Sequence, residues 1–464
     1  MHAGTPSDAP IIAVDEPRPP GVTALAPATW WRGLGGLTRS GSAVEGLSWA
    51  LYDFANTIFS FTIVSFAMGP WTVRALGEAN GTLAFTVAGS LSVLLSAIVS
   101  PALGAVSDRT GGRKRYLFVF TVLCVVPTAV IGLVNIWLGL LAFAIANFAF
   151  QAALIYYDAI LPDVALPEKR GRLSGIGVGL GYLGTIVSGL LLRFTTDDQG
   201  LITAASFMLV ASLFAVFAIP IFLVVRERPR TDATPFRVMD AIGSWRQLGV
   251  TWQHAGEQPG LRRFIVGRFF YSDGVNTAIA VMSLFTINAI GFTEGEALYV
   301  LLGLTVVAVI ASFGWGYLAD RWGPKRTLLT VLASWVLGLL IIGLVTDKVV
   351  FLLAGAILGS GLGGTAVTDR LLLLRLAPAH QVGEMFGMFG LAGKFSAVIG
   401  PVAFGLIVFF LLEPLGSPLA YQVAILSLLI LMVIGYWIVR GVPEPPPERA
   451  QEAEAVLAGP PGAS

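Results

Sequence analysis

The sequence predicts an all-α membrane protein of about twelve transmembrane helices, built as two six-helix pseudo-repeats. Three observations carry this expectation. Of 464 residues, 55% are hydrophobic and 12% charged, with mean hydropathy +0.79, too little polar surface for a water-soluble chain of this length. Apolar runs of about 20 residues recur along the chain, the length that crosses a bilayer as a helix. A charged turn of pattern G-x-x-x-D-R-x-G occurs twice, at Gly104–Gly111 and at Gly316–Gly323, each followed by clustered Lys and Arg. Its two aspartates, Asp108 and Asp320, are 320 − 108 = 212 positions apart, close to half the chain.

Taken in order, residues 1–45 read as a disordered cytoplasmic tail, rich in Pro and Ala to about position 28, with Trp30 and Trp31 suited to the membrane interface. Six spans follow within 46–225, at 47–71, 80–105, 116–135, 138–161, 172–194 and 202–225. A polar linker occupies 226–263; it reads first as a plain tether, with an amphipathic helix on the membrane face as the alternative. Six more spans lie within 264–440, at 264–290, 295–319, 326–345, 349–374, 383–411 and 417–440, and 441–464 is again a disordered tail. With the N-terminus inside, only Arg74, Arg193 and Lys348 of 29 Lys and Arg fall on outer connections, a pattern that keeps basic loops and both termini cytoplasmic.

The halves repeat beyond the basic turn. Asp53, Asn56 and Thr57 match Asp273, Asn276 and Thr277 at an offset of 273 − 53 = 220. An offset of 212 carries Gly171, Gly175 and Gly189 onto Gly383, Gly387 and Pro401. Parallel repeats of this kind are a transporter architecture.

Asp53, Asn56 and Thr57 share one helix face by their i, i+3, i+4 spacing. An acid inside a spanning helix costs about 2.5–3.5 kcal/mol, so Asp53 and Asp273 are expected at a cavity or a partner. Two readings stand equal: an interior lining for solute or protons, and a structural helix-end pair. Lys394 lies about eleven residues into its span, too deep to snorkel easily, and is expected at a solute or coupling site or in an ion pair. The 212 offset makes Tyr182 the repeat equivalent of Lys394 and Asp158 that of Arg370; the latter two read first as anchors of helix ends, with a gating pair as the alternative. Asn147 and Gln151, one turn apart, are further lining candidates, with interhelical bonding as the alternative. The turns at Asp108, Arg109, Asp320 and Arg321, with Glu168 and Arg172 as partners, are expected to hold the cytoplasmic side closed.

Glycines 171, 175, 177, 179, 181 and 184 fit close helix packing rather than a phosphate loop, and no G-x-x-x-x-G-K-[ST] occurs. His2, His254 and His380 have no metal-ligand spacing, Cys124 cannot form an internal disulfide, and no nucleophile–base pair stands out. No cofactor, catalytic group or nucleic-acid partner is expected. The expected partners are a small-molecule solute, the bilayer, and H⁺ or Na⁺ as coupling ion, with the chain acting as a monomer.

The doubled basic turn resembles the signature loop of the major facilitator superfamily. Trp49–Asn56, Tyr156–Asp163, Gly181–Gly184 and Gly393–Pro401, with Arg370, Arg375–Pro378 and Glu384–Gly387, are together similar to the autophagy-related vacuolar amino-acid effluxers and their bacterial relatives, the "unknown major facilitator" group. The resemblance implies a secondary transporter working by alternating access, and the Pro- and Ala-rich tails and short loops suit a bacterial protein, hence an inner membrane. In the fungal members it implies export of leucine-, isoleucine- and tyrosine-type amino acids. Asp158 and Asp369 depart from the pattern, where Asn and Ser are expected. The rival readings are a multidrug, sugar or organic-anion carrier of the same fold, and a non-transporting receptor or scaffold.

Overall fold

The computed structural model describes residues 30–110, 112–166, 170–197, 200–227, 238–378 and 382–443. The described elements are helices, apart from an isolated β-bridge between Thr38 and Ala165. The first half holds α1 (Ala43–Leu76), α2 (Glu78–Thr110), α3 (Arg113–Val130), α4 (Ile136–Val164), α5 (Arg170–Leu192) and α6 (Ala204–Val224). A linker helix α7 (Val238–Glu257) leads to α8 (Leu261–Asn288), α9 (Glu294–Trp322), α10 (Pro324–Leu344) and α11 (Lys348–Leu376). The chain ends with α12 (Val382–Ser396), α13 (Ile399–Leu415) and α14 (Ser417–Arg440), where α12 and α13 together make one crossing.

Ten crossings among the described residues are long and apolar enough to span a membrane by composition. The other two are α5 and α8. The described apolar stretch of α5 is the shorter Ile176–Leu192, and Arg262, Arg263, Arg268 and Asp273 dilute α8. Twelve crossings in two halves match the expected fold.

Local sequence sets the ends. Asp347 accepts from the N–H groups of Val349 (2.9 Å) and Val350 (3.0 Å) at the start of α11, and Thr293 with Glu296 forms a capping box on α9. Gly112, at φ 69°, makes the left-handed turn into α3. Two interior features have no cue in the hydropathy. α1 carries a π-helical stretch, Ser60–Ala67, where the Ser65 hydroxyl donates to the Ser60 carbonyl (3.2 Å). The α12–α13 crossing breaks at Ala397 and Val398. Pro401 explains the break: its ring would collide with the carbonyl of residue 397 in a continuous helix.

The constant offset of 212 fails beyond that break. Gly189 packs on Leu302, and Gly405 packs on Thr86. These contacts repeat at 405 − 189 = 302 − 86 = 216, so Gly405, not Pro401, stands where Gly189 does.

The linker is not a plain tether. Among the described residues it holds α7, 20 residues long, with Thr251 and Ala255 buried and Trp245, Arg246, Val250 and Trp252 exposed. The Trp245 ring lies 6.5 Å from that of Phe395 on α12. Nor is all of 1–45 a loose tail. Trp30–Leu37 forms a 3-10 helix, and Arg39 donates through its backbone N–H to the Val164 carbonyl (2.9 Å) and through Nε to the Ala165 carbonyl (3.0 Å).

The side bearing the chain termini and the far side differ. On the far side the halves are tied together: Arg74 pairs with Glu294, Ser417 donates to Glu78, and Thr82 bonds the Tyr421 hydroxyl at 2.7 Å. On the termini side Asp158 and Arg370 are both exposed, and none of the described ion pairs joins them.

Candidate functional site

A cavity of about 400 Å³ lies between the halves. Its first-half wall comes from α1, α2 and α4, with Ser60, Ser90, Asn147 and Gln151; its second-half wall comes from α8, α12 and α13, with Arg268, Asn276 and Lys394. A second lobe of about 220 Å³ is more apolar and includes Tyr182, Met282, Leu304, Trp335 and Leu358. Ser60, Ser65 and Ile279 border both lobes. The π-helical stretch of α1 is therefore the partition, with both serines on it.

Lys394 crosses from α12 to the other half. Its ammonium donates to Ser100 Oγ on α2 (3.0 Å) and to the Gln151 carbonyl on α4 (3.2 Å). Arg268, which the sequence reading missed, is the other cation on the wall. Its Nε donates to Asp369 Oδ2 (3.1 Å), its Nη1 to the Phe389 carbonyl (2.9 Å), and its guanidinium sits 3.5 Å from the Phe389 ring centre. Tyr271 donates to the other oxygen of Asp369 at 2.5 Å. The unexpected acid at 369 is thus a buried counter-ion, and an added acid inside a span was the signal that an arginine had to stand nearby.

The wall carries no acid among the described residues. Asp53 and Asp273, expected at a cavity or at a partner, both lie off this wall. Asp273 Oδ1 accepts from the Gly400 N–H (2.9 Å) and lies 3.4 Å from the Thr277 hydroxyl. It caps α13 from another helix, because the break at Pro401 frees that N–H and Val398 supplies no side-chain cap. A β-carbon at 400 would meet both Thr277 and Asp273, so only glycine lets α13 approach. Asp53 instead faces α5 and α4: a β-carbon at Gly177 would lie 3.3 Å from Asp53 Oδ2 and 3.3 Å from the Tyr157 hydroxyl. Asn56 is buried, with neither amide atom hydrogen-bonded. Asn147 Nδ2 donates to Ser92 (2.7 Å), which leaves its buried Oδ1 without a partner.

The basic turn of the first half has partners in its own half and at the start of the linker. Glu227 accepts from the N–H groups of Arg113 (2.5 Å) and Lys114 (3.2 Å), and Arg113 faces Asp163 at 3.6 Å. Arg321 is exposed. The side chains of Asp108, Arg109, Asp320 and Arg172, and all of Glu168, lie outside the described residues.

A two-lobed polar and apolar cavity between six-helix halves, closed on one side, suits a carrier. The sequence pattern of the family described as vacuole effluxer Atg22 like matches residues 80–444. The chain belongs to that family. This Atg22-like protein is an integral membrane transporter of the major facilitator type. It is 29% identical over 418 residues to the uncharacterised MFS-type transporter YxiO of Bacillus subtilis, covering 86% of this chain and 94% of that one. Its fold matches the nucleoside transporter NupG with TM-score 0.64 at 14% identity, covering 85% of this chain and 98% of that one. It also matches the human organic anion transporter MFSD10 with TM-score 0.61 at 15% identity, over 85% and 98% of the two chains.

Proposed function

We propose that this transporter carries a small solute bearing a carboxylate, with amino acids of apolar side chain as the first class, by alternating access in a bacterial inner membrane with both termini cytoplasmic. The observation that carries the reading is the pair of cations on the cavity wall. Lys394 and Arg268 face a space whose other described polar groups are amides and hydroxyls. A carboxylate entering it gains charge-assisted hydrogen bonds from both. The unpartnered Asn147 Oδ1 offers an acceptor to the ammonium, with Ser60, Ser90 and Asn276 around it. The side chain takes the second lobe, between Met282, Leu304 and Trp335. Amides replace Asp53 and Asp273 as the amine's partners. The basic-loop bias supports cytoplasmic termini, and the exposed Asp158–Arg370 gap then makes this an inward-facing form.

The test is uptake of labelled leucine, isoleucine and tyrosine into proteoliposomes. Saturable flux is expected, and Lys394→Met is expected to weaken solute affinity at least about tenfold, about 1.4 kcal/mol. Unchanged affinity in that variant sinks the assignment of Lys394, and absence of flux for all three sinks the amino-acid class. A second reading, a carrier of small organic anions, is favoured by the two cations and the missing acid. The deaminated analogue of leucine separates the two: competition as strong as leucine's selects the anion carrier.

A further inference from the structure

A cluster of ionisable groups lies beside the solute cavity but off its wall. Asp53 (α1) is half-buried with Oδ2 toward Gly177, and the Tyr157 hydroxyl (α4) points at the same empty position. Tyr157 is 3% exposed, and its hydroxyl has no hydrogen-bond partner. Its ring is locked by stacking on Trp49 (4.6 Å) and Tyr52 (5.2 Å), so the hydroxyl cannot swing elsewhere. Asp158 is the next residue on α4, and the two carboxylates act on one another. Tyr182 on α5 and Arg370 on α11 also interact electrostatically with Asp53. Arg370 and Lys394 are the charges acting on Asp158. α6, the remaining long neighbour of α1, has no titratable side chain along Ala204–Val224.

The charges balance only while Lys394 is unoccupied. With both ionised, Asp53 and Asp158 carry two negative charges against Arg370 and Lys394. Lys394 is held to the carbonyl of Gln151, which precedes Asp158 by 158 − 151 = 7 residues, two turns along one face of α4 and about 10 Å. A solute carboxylate on Lys394 would cancel that cation and leave one acid uncompensated, and the half-buried Asp53, not the exposed Asp158, is the one whose charge is costly to leave so. We propose that Asp53 and Asp158 form a proton site, separate from the solute cavity, that fills when the solute's carboxylate neutralises Lys394. This rests on the reading of Lys394 given above. A turn of the Asp53 carboxyl toward the unpartnered Tyr157 hydroxyl would let that hydroxyl donate to the ionised acid and accept from the protonated one. Solute and proton then move together and the complex keeps its net charge.

The test needs no solute, so its failure is distinct from failure of the solute assignment. Lys394→Gln removes the cation as a bound carboxylate would cancel it. The purified full-length protein is compared with this variant by infrared spectroscopy at neutral pH. Lys394→Gln is expected to gain a protonated-carboxyl band that the parent lacks, and to lose it when Asp53→Asn or Asp158→Asn is added. Lys394→Arg, which keeps the charge, is expected to show no band; this separates charge balance from a folding defect. A Lys394→Gln protein without the band, or one that keeps it in both double variants, overturns the proposal. Discharge of the band by sodium at constant pH assigns the site to sodium and overturns the proton.

Discussion

The two halves start from the same helical face and use it differently. Asp53, Asn56 and Thr57 on α1 correspond to Asp273, Asn276 and Thr277 on α8. In both halves the threonine meets a glycine of the neighbouring crossing: Thr57 meets Gly181 and Thr277 meets Gly400. The difference lies in that crossing. α5 has no proline and runs unbroken, so its backbone N–H groups are satisfied internally. The crossing of α12 and α13 contains Pro401 and breaks, and Asp273 is consumed in capping the exposed end. Asp53 has no such duty. It remains beside Gly177 and Tyr157. One proline in a partner helix thus separates an acid committed to a cap from one that is not.

A second contrast concerns two further acids inside the spans, Asp369 and Asp158. Asp369 is 5% exposed and held by Arg268 and Tyr271, whereas Asp158 is exposed toward Arg370 without an ion pair. The largest stability effect is expected here. Asp369→Ala leaves the half-buried Arg268 without its counter-ion, at a cost of up to about 3–5 kcal/mol, while Asp158→Ala changes stability within about 0.5 kcal/mol. Thermal unfolding of the two purified variants decides this; equal losses would erase the distinction.

The capping role predicts the next effect in size. Asp273→Ala strands the Gly400 N–H and is expected to cost about 1–3 kcal/mol. Asp53→Ala is expected to cost less and to act on the pH dependence of transport. If the two variants melt alike, the asymmetry between the halves is not built on the cap. The smallest effect belongs to Pro401→Ala. It removes the ring clash and supplies an N–H, so α12 and α13 are expected to fuse. Stability is expected to move by less than about 1 kcal/mol. Hydrogen exchange reads the change, as slower exchange at residues 397–400; unchanged exchange there would show that Asp273, not the proline, maintains the break.

The fold was legible because a membrane imposes it. Twelve apolar stretches, the doubled basic turn and the Lys and Arg bias follow from the cost of placing polar groups in hydrocarbon, which every residue of a span must respect. Depth along a span is also linear in sequence, so Lys394 could be placed far from either interface and does reach the cavity wall. Arg268 was passed over because it stands four residues after the expected start of its span, where a boundary cation is ordinary. Its inward direction emerges only from its bond to Asp369, a hundred residues away in sequence.

The sequence by itself determined the number of crossings, their pairing into halves, the side that carries the basic turns and the identity of the charged residues inside the spans. These depend on composition within a window and on spacing along one chain. The tertiary structure decided which acid is a cap, which is a counter-ion and which stays available, and it placed two cations with no described acid on the cavity wall. Those outcomes depend on how helices rotate and slide against one another. A break at Ala397 and Val398 and a π-helical stretch at Ser60–Ala67 reset that rotation locally, and no periodicity in the sequence records it.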